Sequence, residues 1–135
     1  MYRGKIYLNA QSKTTEGVWI MSSPILTTSE LDPELGNKLM STLAKSTENA
    51  PHPKSWKEID DPLIKAAGAR SFAAFAKAAR VVFVIMDNDD VAFIPTRNGP
   101  KGSGIHLNEK IIHSDRFGGN LASALIEAFA ACERD

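Results

Sequence analysis

Residues Val81-Val82-Phe83-Val84-Ile85-Met86 form the longest unbroken apolar run in the chain, and Asp87-Asn88-Asp89-Asp90 ends it before Val91 to Pro95 resume an apolar stretch. The run is far too short for a membrane helix, which needs about 20 apolar residues. It predicts a strand covered on both faces or near the centre of a sheet. The polar tetrad predicts a turn, and Val91 to Pro95 the hairpin partner.

Around this hairpin the rest of the chain sorts into shorter elements. Lys5 to Asn9 and Gly17 to Met21 read as N-terminal strands, with a third over Pro24 to Thr27. Asp32 has the chemistry of a helix N-cap, with Pro33 at the first helical position and Leu35, Leu39 and Leu43 forming an apolar stripe to about Ser46. Thr47 to Asp61 holds acids and prolines without a period and reads as an ordered loop. Pro62 starts a short helical turn that Gly68 closes, and Ser71 caps a helix with Phe72, Phe75 and Ala79 inward. After the hairpin, 98–104 is a longer turn, and Ile105 to Leu107 and Lys110 to Ile112 continue the meander. Ser114 or Asp115 caps a last helix whose buried stripe is Leu121, Leu125 and Phe129, joined by Ala128 and Cys132. The class is α+β: a mainly antiparallel β-sheet of about five to seven strands packed against about two to four helices.

One domain spanning residues 1–135 accommodates all of this, because 135 residues at 43% hydrophobic suffice for a single core without disulfide or metal. The single Cys132 forms no internal disulfide, Met1 to Lys5 leads into a strand and not an apolar signal segment, and a cytoplasmic location is expected. Sixteen basic and sixteen acidic residues cancel, so net charge draws the chain to neither nucleic acid nor membrane. No cofactor or metal is expected, since His52, His106 and His113 lack ligand spacing, and Gly99 to Gly104 lacks the Lys-Ser/Thr ending of a phosphate loop. Cys132 reads as a small buried thiol, and adjacent acids in a turn point apart into water, so no enzyme emerges.

Two Pro-anchored segments remain, Pro51-His52-Pro53-Lys54-Ser55-Trp56 and Ile94-Pro95-Thr96-Arg97-Asn98. The first reads as a stiffened loop with Trp56 plugging the core edge. In the second, Pro95 marks a strand end or an edge strand, and Arg97 with Asn98 could hydrogen-bond nearby carbonyls or an acidic loop. With Thr14-Thr15-Glu16-Gly17-Val18-Trp19-Ile20, Leu35-Gly36, Ser71 to Lys77 and Leu125 to Phe129, these segments in this order resemble the CdiI-type immunity proteins of bacterial contact-dependent growth inhibition, over nearly the whole chain.

The resemblance implies a bacterial cytoplasmic inhibitor that binds the C-terminal toxin domain of a large secreted effector, often a nuclease such as a tRNase. Nuclease clefts attract phosphate with basic side chains, so carboxylates on rigid loops are suitable blocking groups. The candidates for toxin binding are Glu58, Asp60 and Asp61 before a helix, Asp87, Asp89 and Asp90 at the hairpin tip, and Arg97. The competing reading is a small nucleic-acid-binding module using Lys65, Arg70, Lys77 and Arg80, a stretch from Pro62 to Met86 without an acid.

Overall fold

The computed structural model describes residues 1–22, 24–55, 57–100 and 103–133, without the side chains of 57–61. Trp56, Lys101 and Gly102, named above, fall outside this set, as do the side chains of Glu58, Asp60 and Asp61. Among the described residues, eight strands and four α-helices make an α+β fold.

The hairpin forms as its residues dictate. Strands β5 (Val82–Asp87) and β6 (Asp90–Asn98) pair antiparallel, with Val84 opposite Phe93 and Asp87 opposite Asp90. Asn88 takes φ 54, a left-handed conformation that Asn tolerates better than most residues. On its other edge β6 carries β8 (Ile112–Asp115) along its first half and β7 (Gly104–His106) along its second.

Two expectations fail here. β5 is neither central nor covered twice: it is the edge of the sheet, and Ile85 on its second face is 54% exposed. Pro95 is at neither a strand end nor an edge but inside β6, the central strand. Its carbonyl accepts from Leu107 N–H at 2.9 Å, so its main-chain groups face the β7–β8 side. The β8 ladder has ended at Phe93 there and the β7 ladder begins only at Thr96, so the N–H that proline lacks has no ladder acceptor to serve.

The N-terminal strands form a bent ribbon, β1 (Ile6–Leu8) with β4 (Leu26–Thr28) and β2 (Gln11–Lys13) with β3 (Trp19–Met21). Leu8 faces Leu26 and Gln11 faces Met21, so the return strand has the longer connection between the two ladders.

Helix α1 (Leu35–Leu43) buries Leu35 and Leu39 as its stripe requires. It starts later than Asp32 and Pro33 suggest: Asp32 Oδ1 instead accepts Glu34 N–H at 2.8 Å, fixing the turn ahead of the helix. α2 (Lys57–Ala67) absorbs the end of the expected loop and carries Pro62 within it. Gly68, at φ +67, ends it with Ala69 N–H bonded to Ile64 and Gly68 N–H to Lys65, a Schellman closure. Ser71 caps α3 (Phe72–Ala78) by accepting Ala74 N–H at 3.1 Å.

Asn108–Lys110 is a 3-10 turn, so the strand expected from Lys110 begins at Ile112. That strand, β8, takes Ser114 and Asp115, which therefore do not cap the last helix. Asp115 makes a turn by accepting Phe117 N–H at 2.8 Å, and α4 (Leu121–Ala131) starts after Asn120. Cys132 is the C-cap of α4 and half-buried, not a core thiol.

The main core lies between the inner face of the β5–β6 sheet and α1, α4 and β1, with Ile6, Leu35, Val91, Phe93 and Ala128 fully enclosed. A second cluster packs Tyr2 against Leu63, Phe75 and Ala79. No helix among the described residues is long and apolar enough to cross a membrane.

Candidate functional site

Backbone pairing at the start of the chain creates an incomplete sheet. Arg3 and Gly4, both at positive φ, reverse the chain so that Tyr2 pairs antiparallel with Lys5. On its other side, Met1 N donates to the Arg80 carbonyl at 2.6 Å and Arg80 N–H donates to the Met1 carbonyl at 2.9 Å. Exchange of both bonds is the mark of an antiparallel pair. Met1 and Tyr2 thus sit as a stub of strand between the segment leading into β1 and the segment leading into β5.

Beyond the stub no described strand fills that lane. Among the described residues β1 and β5 each have one hydrogen-bonded neighbour, β4 and β6 respectively. Between them runs a cleft of about 340 Å³, walled by Leu8, Asn9 and Gln11 on one side and Val82 and Val84 on the other, with Leu39 and Phe129 among its lining.

The free groups on the β5 wall follow from its ladder. Asp87 and Asp90 flank a two-residue turn and form the closing hydrogen-bonded pair, while Pro95, opposite Val82, has its main-chain groups turned away. Bonding therefore alternates: Phe83, Ile85 and Asp87 bond to β6, and Val82, Val84 and Met86 direct N–H and C=O away from it, with Val82 and Val84 lining the cleft. Among the described residues no other main-chain or side-chain group bonds to these three. Their side chains, in contrast, pack on the main core.

The candidate carboxylates Asp87, Asp89 and Asp90 are all exposed, at the end of β5 away from the stub. In register, Asp87 lies opposite Asp90 and Asp90 opposite Asp115, so three carboxylates share one row on the outer face. Like charges placed so repel. His113 on the same face offsets part of this, with Nδ1 at 3.0 Å from Asp90 Oδ2. Arg116 adds a cation whose Nε is buried without a hydrogen-bond partner among the described residues and whose guanidinium lies 4.8 Å from the ring centre of Phe117, itself 75% exposed. Sequence reasoning missed Asp115, His113 and this Arg116–Phe117 pair; only strand register brings them to the tip.

Arg97 is not part of that group. It lies near the opposite end of β6, about 23 Å from Asp90 at strand rise. Its backbone pairs in parallel with that of Glu133, whose carboxyl is held below its usual range by the Lys110 ammonium at 2.5 Å. The acidic turn and Arg97 therefore lie in two separate surface patches.

The first Pro-anchored segment is architectural. His52 Nδ1 lies 3.1 Å from Thr14 Oγ1 and Nε2 lies 2.9 Å from Glu16 Oε2, which clamps the segment to the β2–β3 turn. Thr47 and Ala50 add backbone bonds to Lys13 and Thr15. Among the described residues no group of three His, Cys, Asp or Glu side chains could hold a metal ion.

The architecture recurs in solved structures. A protein of unknown function from Neisseria meningitidis superposes with a TM-score of 0.77 at 15% identity, over 98% of this chain and 92% of that one. A chain of the CdiA-CT/CdiI toxin and immunity complex from Yersinia pseudotuberculosis superposes with a TM-score of 0.73 at 14% identity, over 98% and 94%. At such identities the shared property is the fold. No protein-family model matches the sequence. No curated protein matches it either.

Proposed function

We propose that this protein is an immunity protein of the contact-dependent growth inhibition type, which binds and neutralises the C-terminal toxin domain of a cognate effector. The observation that carries the reading is the lane between β1 and β5 that no described strand fills. Each wall is a strand edge, and an unpaired edge is a template for a strand from another chain. A fold shared with a chain of a toxin and immunity complex supports a protein as the partner.

A strand laid beside β5 gains main-chain bonds to Val82, Val84 and Met86 and buries the cleft lining. Its neighbours at the tip are Asp87, Asp89 and Asp90, carboxylates suited to the basic, phosphate-binding surface of a nuclease. The toxin is accordingly read as a nuclease, with tRNA as a candidate substrate, and this chain as a cytoplasmic binder without catalysis of its own.

The test is co-expression in bacteria with the toxin domain encoded immediately upstream. Growth and intact tRNA are expected with this chain present, and arrest with tRNA cleavage without it. Continued arrest in its presence sinks the reading, and arrest by this chain alone makes it the toxin half. Salt-sensitive RNA binding by the isolated protein would instead favour the Lys65 to Arg80 module.

A further inference from the structure

We infer that His52 is a proton-operated latch. When neutral it locks the 51–53 segment to the β2–β3 turn through Thr14, and a proton on its Nδ1 releases that turn. The latch is independent of the lane between β1 and β5 and of any partner.

The hydrogen bonds of Thr14 fix the state of the ring. Thr14 is buried, and its Oγ1 accepts Glu16 N–H at 3.3 Å and Val18 N–H at 3.2 Å. A hydroxyl has two lone pairs and one proton, so both acceptor positions are taken and the proton is left for His52 Nδ1, 3.1 Å away. Nδ1 is therefore a bare acceptor. The neutral ring then carries its hydrogen on Nε2, which donates to Glu16 Oε2 at 2.9 Å.

A proton added at Nδ1 turns that nitrogen into a donor facing a hydroxyl already filled by two amides. Either the ring leaves Thr14 or one amide loses its acceptor. Glu16 favours the imidazolium from the other side, but its side chain is 65% exposed and water screens the attraction. Lys13, Glu48 and Lys54 are the other charged residues on 11–21 and 47–55, the segments that meet the ring. Pro51 and Pro53 restrict the backbone on both sides of His52, so the ring moves about its own side-chain bonds while the segment stays in place. The turn leads into Val18 and Trp19, 37% and 55% exposed, so the latch sets how firmly two large apolar side chains are held at the surface.

NMR of the full-length protein tests this in two steps. Ring-nitrogen shifts at about pH 8, where imidazoles are neutral, should show His52 Nδ1 unprotonated and Nε2 protonated. Between about pH 8 and about pH 5 the protection of the Val18 or Glu16 amide, corrected for intrinsic exchange, should fall about fivefold as one bond is lost. His52→Asn keeps an acceptor for the Thr14 hydroxyl without a titrating ring, so its protection should hold at the alkaline value throughout. Hydrogen on Nδ1 of the neutral ring would overturn the latch without recourse to any variant. Protection that persists while His52 takes up its proton would overturn it too, as would an equal fall in His52→Asn, which assigns the loss to another group.

Discussion

Replacing Val84 and Ile85 singly by proline separates the lane from the ladder. Val84 N–H points away from β6, so Val84→Pro removes no bond that the fold uses, and its ring fills much of the valine volume. Proline is tolerated on an edge strand when the missing donor faces outward. The cost is about 1 kcal/mol, from altered packing on the core and restriction of Phe83. Ile85 N–H, one residue on, bonds across to Ala92. Ile85→Pro forfeits that bond, leaves an acceptor unsatisfied and drives the ring against the neighbouring carbonyl, about 3 kcal/mol or more. Because the Ile85 side chain is 54% exposed, little of that larger loss comes from apolar burial. Urea denaturation followed by far-UV circular dichroism reads both variants; the midpoints should differ by about 1 M at an m value of about 2 kcal/mol/M. The same pair reverses in function: Val84→Pro, nearly as stable as the parent, should lose rescue of toxin-arrested cells. Equal destabilisation by the two prolines would mean that Val84 N–H is bonded within the fold, and the empty lane would not exist.

Three further outcomes follow from the packing and the hydrogen bonds. Phe93→Ala, at the fully enclosed centre of β6, should cost about 3–5 kcal/mol, measured as the shift in thermal or urea midpoint. Thr14→Val should cost about 1–2 kcal/mol, because the buried Thr14 Oγ1 accepts from Glu16 N–H and Val18 N–H and meets His52, and faster amide exchange at Val18 should accompany the loss. Asp32 is held at about 2 by Lys38, then Thr28, then the Glu34 amide, from an ordinary 3.8. A lowered folded pKa gives stability that is present above about 3.8 and lost as pH falls toward 2, so Asp32→Asn should flatten the acid limb of the stability profile in that window. An unchanged acid limb would place the responsible carboxylate elsewhere.

Local chemistry was legible in the sequence where it acts within a few residues. Ser71 as a cap, Gly68 as a helix end, the Leu35 and Leu39 stripe and the 87–90 turn each depend on neighbours close in the chain. Pro95 was misplaced because its fitness for a central strand depends on two other strands meeting opposite it, one ending at Phe93 and one starting at Thr96. The end of α2 was readable and its start was not, since Pro62 is an N-terminal signal by itself and here lies inside the helix. Asp87, Asp89 and Asp90 were correctly read as a turn, but their row with Asp115 is a product of register across 25 residues of chain.

The misreading of β5 carries the most information about function. An apolar run on both faces is what a doubly covered strand requires, and in the isolated chain Ile85 has cover on neither its outer face nor the edge beside it. The sequence is therefore apolar in excess of what this fold buries. The aligned aspartates are a second excess, a repulsive row where a single acid would suffice for the turn. Both lie along one strand, and one added strand relieves both: it covers the apolar edge, joins β4–β1 to β5–β6 as one continuous sheet, and sets a cation against Asp87. Features that weaken the chain alone and are satisfied together by the same partner are what a surface built for binding leaves in a sequence.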